Sequence, residues 1–369
     1  MKRKVCYILP EYKKDDATHF SYLGRLLKEA SKEMDIFLII LKGESPKEDF
    51  GCSRTEVINS SNFFTLNIKL RYWILYARFH EYRDFYVHYS FLAAFSASIC
   101  TKIFGGRVFY WNCGEPWKFR RSFLREHFER LVYKNINFLV TGAVSLGEEY
   151  SKHYPISAEK IKVMPNWIDM ERFKEVPDKN ALKKELDLPS DKKIIFFAHR
   201  LSSRKGAKWG ALPVISQVLQ KTNNALFVIA GTGPDEKMLQ SRIVRMPLLE
   251  RGVMLLGAVP NNVIQKYYAV SDVFFMPSQE EGFPRAMLEA MASGVPVVAS
   301  DVGAVLSLLP SSCRSFVVPP NDTDGFSRAI LALLSEEKWK LLDLEKDLRA
   351  RASEFDTPIV AKIFVKLFE

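Results

Sequence analysis

The chain has 369 residues, a formal net charge of +10 and a pI of about 9.2. Hydrophobic residues make up 47% and charged residues 26%, as in a soluble globular protein with room for two domains. Patterning argues against a membrane-spanning or disulfide-framed chain. The most apolar long run, FYVHYSFLAAFSASICTKIF at 85–104, contains His88, Lys102 and several hydroxyls. The opening Met1-Lys2-Arg3-Lys4 leads into a strand-length apolar run rather than a signal peptide. The five scattered cysteines include no pair at metal-ligand spacing and read as reduced thiols of a cytosolic chain. Charge is uneven. Residues 1–170 hold 26 Lys and Arg against 19 Asp and Glu, and the remainder 27 against 24. A basic first half suits a membrane surface, a nucleic acid or a phosphorylated acceptor, with lysine-rich solubility as the alternative.

Strand-like and helix-like segments alternate along the chain. VCYILP (5–10), a helical stretch near Phe20–Ser31 and DIFLIIL (35–41) come first. DFYVHYS (84–90) precedes a helical stretch to about Ile103, then RVFYWN (107–112). A long helical stretch, 118–134, leads to INFLVTGA (136–143) and KIKVMPN (160–166). The second half restarts with KIIFFAH (193–199), ALFVIAG (225–231), GVMLLG (252–257), DVFFMPS (272–278), VPVVAS (295–300) and SFVVPP (315–320). Strands that are apolar throughout and separated by helices imply parallel sheets covered on both faces. The count predicts an α/β chain of two doubly wound domains, 1–170 and 171–350. The final stretch, 351–369, includes an amphipathic helix that packs back on the first domain.

In such sheets ligands bind beyond the carboxyl ends of the strands. After KIIFFAH comes RLSSRKG, in which Arg200 and Lys205 suit a diphosphate; a solvated basic loop is the alternative. The stretch EEGFPRAMLEAMASGVPVVASD (280–301) reads as loop, helix and strand. Pro284 fits a helix start, Gly294 a left-handed stop, and Val295–Ser300 a buried strand. The amides at that helix start would attract an anion, and the carboxylates of Glu281 and Glu289 flank it. This suits a ligand with phosphates and hydroxyls, such as a nucleotide sugar. A surface Glu281 and a dipole-complementing Glu289 are the alternative. After GVMLLG, the neutral end Ala258-Val259-Pro260 could read a base through its backbone.

RLSSRKG, IAGTGP, LLGAVP, DVFFMPSQEEGFPRAMLEAMASGVPVVASDVGA and FVVPPND, in that order, resemble glycosyltransferase family 4, also called glycosyl transferases group 1, which are retaining enzymes of the GT-B fold. The likeness is close over residues 160–325. It implies two Rossmann-like domains facing each other across a cleft, the first binding the acceptor and the second the donor. By position it implies that Arg200 and Lys205 bind the donor diphosphate. Glu281 would hold the sugar hydroxyls and Glu289 the ribose. Backbone groups of Gly282, Phe283 and Arg285 would face sugar and phosphate, and Val259 would lie on the donor side. No metal or other cofactor is implied. Where the family carries a histidine in its first domain this chain has Asn112, which could bond a sugar hydroxyl but cannot act as a base. His19, with Asp16, falls on the acceptor side, with helix capping as the alternative. His88 reads as structural.

The resemblance implies transfer of a hexose from a UDP- or GDP-sugar to a hydroxyl of a lipid-linked or cell-envelope glycan. The alternatives are a GT-B sugar-nucleotide epimerase and a non-catalytic polyanion-binding scaffold. No nucleic-acid partner is expected. The segment KFRRSFLREHFERLVYK (118–134) sets Arg120, Arg121 and Arg125 beside an apolar stripe, which suggests peripheral contact with an anionic membrane from the cytoplasmic side. An ordinary helix with solvated cations is the alternative.

Overall fold

The computed structural model describes residues 2–13, 22–60, 62–176 and 178–369. The chain divides into two compact units, Met1–Pro165 with Thr357–Glu369, and Asn166–Asp356. The first unit thus ends before the expected boundary at 170. Asn166 already belongs to the second, where its side-chain amide donates to Phe283 O at 2.8 Å.

In the first unit, seven parallel strands are found among the described residues. They are β1 (Arg3–Leu9), β2 (Met34–Ile40), β3 (Arg54–Val57), β4 (Asp84–His88), β5 (Arg107–Trp111), β6 (Phe138–Thr141) and β7 (Ile161–Val163). Their order is β3-β2-β1-β4-β5-β6-β7. β1, β2, β4 and β5 are buried nearly end to end, as strands covered on both faces must be. The helix Thr357–Lys366 belongs to this unit. Its Phe364 ring lies 4.9 Å from Tyr86, and Phe368 beyond it lies 4.7 Å from Phe109.

Two elements differ from the sequence reading. β3, with sequence RTEV, is polar and half-buried because it is an edge strand paired only to β2. The helix Phe63–Phe79 carries apolar residues on its solvent side as well as its buried side, so no clear helical period marks it. Its start is fixed by Asn62, whose side chain accepts from Thr65 N at 2.7 Å. The stretch expected at 118–134 resolves into a short turn, Pro116–Lys118, and a helix, Phe123–Asn135, capped by Ser122.

The second unit repeats the design with β8 (Lys193–Ala198), β9 (Ala225–Ala230), β10 (Val253–Gly257), β11 (Val273–Met276), β12 (Val297–Ser300) and β13 (Val317–Val318). The order is β10-β9-β8-β11-β12-β13, all parallel. Strand order reverses between β8 and β11. The carboxyl ends of those two strands are therefore where a ligand crevice is expected.

Candidate donor site

The loop after β8 and the loop after β11 meet at this reversal. The first loop is pinned on both sides. Leu201 N donates to Thr232 O at 2.9 Å, and Gln279 N donates to Arg204 O at 2.8 Å. It turns at Gly206, which has φ +75°. A β-carbon there would stand 2.0 Å from Pro277 O, so only glycine fits. That close approach carries Lys205 against the second loop.

Lys205 Nζ lies 2.8 Å from Glu281 Oε1 and donates to Glu280 O at 3.3 Å. Ser278 Oγ donates to the same Glu281 oxygen at 2.8 Å. His199 Nε2 stands 2.9 Å from it, a charge contact if the ring is protonated, although the N–H is out of line for a hydrogen bond. Glu281 is 6% exposed. Burial pushes its carboxyl up, but His199 and Lys205 outweigh burial and hold it down at about 2.

This arrangement makes Glu281 a source of acid sensitivity. Its folded value lies below its ordinary one, so its contribution to stability is full above about pH 4.5 and fades as pH falls toward 2. The stability lead of the native protein over Glu281→Gln should shrink by about 2–3 kcal/mol between about pH 7 and pH 2.5. Urea midpoints across that range measure it. A lead that does not change with pH means the carboxylate is not held ionised.

Beyond Glu281, the amides of Gly282 and Phe283 donate to no group among the described residues. The helix Arg285–Ala292 follows, with Pro284 as its cap rather than its first residue. Its first-turn amides add to the partial positive charge facing the loop. The turn is braced from behind. Gly303 packs on it so tightly that a β-carbon would overlap Glu281 O, and Ala304 N donates to Gly282 O at 3.1 Å. Arg285 Nη1 donates to Trp167 O at 2.8 Å, so the PNWID segment buttresses the same turn. Glu289, half-buried on this helix, lies 3.9 Å from Arg285 Nη2. Gly294 ends the turn after the helix with φ +73°.

The structure thus brings Lys205 and Glu281 together and places Gly282, Phe283, Arg285 and Glu289 on one continuous turn and helix. Arg200, at the end of β8, is exposed and makes no hydrogen bond or ion pair among the described residues. Val259 is half-buried in the loop after β10 and makes no polar contact with these groups among the described residues. His199 and Ser278 were missed by the sequence reading. The signal was present: a histidine directly preceding Arg200 at a strand end, and a serine three residues before Glu281.

The acceptor-side expectations fare differently. His19 lies outside the described residues. Asn112 is 6% exposed, its Nδ2 donates to Tyr133 OH at 3.1 Å and its Oδ1 accepts from Gly114 N at 3.0 Å. Those bonds hold the 112–114 turn. His88 is fully buried, with Nδ1 2.8 Å from Tyr7 OH, as a structural histidine would be. The arginines expected to meet lipid are partly committed: Arg121 and Arg125 both pair with Glu129, which is 1% exposed.

Residues 178–355 match the family of glycosyl transferases group 1. This part of the chain belongs to that family. The match includes the whole of β8–β13 and every residue expected on the donor side. Among curated relatives, the lipopolysaccharide core biosynthesis mannosyltransferase LpsB of Rhizobium meliloti is 34% identical over 180 residues, 47% of this chain and 50% of LpsB. The Escherichia coli UDP-Gal:alpha-D-GlcNAc-diphosphoundecaprenol alpha-1,3-galactosyltransferase is 28% identical over 195 residues, 52% of this chain and 49% of that protein. The chain therefore spans about half the length of these relatives. Over its full length it is similar to the crystal structure of Anabaena HepE in complex with UDP and glucose, with a TM-score of 0.80 at 20% identity and 99% of both chains covered. That likeness shows the GT-B fold. No helix among the described residues is long and apolar enough to cross a membrane.

Proposed function

We propose that the protein transfers a hexose, with retention, from a UDP- or GDP-sugar to a hydroxyl of a lipid-linked or cell-envelope glycan. The observation that carries this reading is the Lys205–Glu281 pair set beside the unfilled amides of Gly282 and Phe283 at a helix start. Lys205 and Arg200 supply positive charge for a diphosphate. Gly282, Phe283 and Arg285 present backbone groups to sugar and phosphate, Glu281 offers its carboxylate to the sugar hydroxyls, and Glu289 takes the ribose. Val259 lies on the donor side near the base. The Escherichia coli and Rhizobium relatives support an acceptor of the envelope-glycan kind. In this reading the first unit takes the acceptor, and the protein works on the cytoplasmic side, at the inner face of the membrane.

The chemistry is a front-face displacement. The bond from the anomeric carbon to the diphosphate oxygen breaks, and the acceptor oxygen bonds on the same face. The acceptor proton passes to the departing diphosphate, whose growing charge Lys205 and Arg200 stabilise. The enzyme cations serve where a divalent ion otherwise would, so transfer should persist in EDTA. Complete loss in EDTA with rescue by Mg²⁺ would overturn that part of the reading.

The function is tested by incubating the protein with UDP-, GDP- and ADP-sugars while following the melting temperature, which a bound donor raises by mass action. The expected result is a rise with UDP- or GDP-sugar and anomer-retained product once a hydroxyl acceptor is added. Epimer formed without acceptor would establish an epimerase. Binding of polyanions with neither donor binding nor turnover would establish a scaffold.

A further inference from the structure

Half of the helix Phe63–Phe79 is explained by packing. Leu70, Ile74 and Ala77 are buried, and Trp73 and Tyr76 each lie 6.1 Å from Phe37 of β2. The other half is not. Phe64, Ile68, Tyr72 and Phe79 share one arc of the helix and are 80%, 70%, 59% and 69% exposed. The stripe continues onto the neighbouring helix Phe91–Phe104, where Phe104 meets Phe79 at 5.6 Å and Ile103 is 68% exposed. Apolar groups on this scale, contiguous and open to water, mark an interaction surface.

Its charge identifies the occupant. Neither 57–80 nor 85–114 contains an Asp or Glu, whereas Lys69, Arg71 and Lys102 are exposed on the two helices. Arg71, at the edge of the apolar arc next to Phe64, has no hydrogen bond or ion pair among the described residues. A second copy docked face to face would set these cations against themselves, because a two-fold interface uses the same patch twice. An anionic bilayer accepts both features at once: the aromatic and aliphatic side chains enter the interface, and the lysines and arginines meet the headgroups.

We infer that the helix Phe63–Phe79, with the end of Phe91–Phe104, is the surface by which the first unit lies on an anionic membrane. This deepens the membrane-side part of the proposed function. It also moves the contact away from Arg121 and Arg125, which are tied to Glu129. Arg71 and Lys69 take their place.

Vesicle binding, read without donor or acceptor, tests this separately from glycosyl transfer. The full chain is sedimented with phosphatidylcholine vesicles, with and without roughly one third phosphatidylglycerol. Anionic vesicles should capture it about tenfold or more better than neutral ones, and salt should weaken capture. Phe64→Glu with Ile68→Glu should weaken capture at least about tenfold, with the melting temperature unchanged because both side chains face water. Lys69→Ser with Arg71→Ser, which gives up only the long 3.4 Å bonds from Lys69 Nζ to Ile58 O and Asn59 O, should weaken capture several-fold and reduce its salt dependence with the melting temperature little changed. The inference fails if the native protein ignores anionic vesicles at low salt or if neither variant changes capture. A dimer in light scattering that the Phe64→Glu, Ile68→Glu variant turns into monomer would assign the surface to a second copy instead.

Discussion

Glu281→Gln should slow glycosyl transfer by about a hundredfold while nucleoside diphosphate binds as tightly as before or tighter. The argument starts from the shared oxygen. Glu281 Oε1 receives Lys205 Nζ, Ser278 Oγ and the His199 contact. The carboxylate therefore aims Lys205, and in the proposed reading it also offers itself to a sugar hydroxyl. Glutamine removes one negative charge from a buried cluster of cations, so the pull on a free diphosphate does not fall. The aimed lysine and the charged acceptor for the sugar are both lost, and they matter most when charge develops on the leaving group. Glu289→Gln gives the contrast. It sits on the helix beyond the turn, beside Arg285, and should weaken nucleoside diphosphate and complete donor alike, by about tenfold or more, because both carry the ribose. Calorimetry with the nucleotide and its sugar conjugate, set beside initial rates, separates the two glutamates. Equal losses for both ligands in both variants would remove the distinction on which the site assignment depends.

Much of this was legible before any coordinates. The strands of the two sheets, thirteen among the described residues, surfaced in sequence wherever they were central, because burial on both faces demands unbroken apolar runs such as IIFFA and LFVIA. The edge strand RTEV gave no such signal, since one side of it has no neighbour to demand apolar residues. The helix Phe63–Phe79 was hidden for the opposite reason: a second apolar face on the solvent side erased the alternation that reveals a helix. In the donor site, Lys205, Glu281 and the helix start were readable because glycine and proline punctuate them, at Gly206, Gly282 and Pro284. The inward part of the cluster was not. His199 is more than seventy residues from Glu281 in sequence and Ser278 only three, and only the side-by-side pairing of strands β8 and β11 brings all three to one oxygen. Asn112 shows the reverse limit. Its position at a strand end suggested a ligand contact, and the fold turned its amide inward to Tyr133 and Gly114.

Lys205→Ala should damage stability, donor binding and transfer together. The lysine side chain is 18% exposed and its partner carboxylate 6%, so the pair sits largely out of water. Removing one member of a buried ion pair leaves the other without compensation, at a cost of about 3–5 kcal/mol. Ser278 and His199 remain on the same oxygen, so the expected loss of stability lies at the lower end of that range. Donor binding suffers separately, because the diphosphate loses a charge-assisted partner and about ten- to a hundredfold in affinity. Transfer suffers most, by about a hundred- to a thousandfold, since the leaving diphosphate gains charge as the bond breaks. Lys205→Arg should restore stability better than activity. A planar fork can pair with Glu281, but it does not place a single point charge where the ammonium stands, 3.3 Å from Glu280 O. Urea denaturation, calorimetry with nucleoside diphosphate and single-turnover rates measure the three losses independently. If Lys205→Ala is folded and transfers sugar within about threefold of the native rate, the lysine neutralises Glu281 and does nothing for the donor.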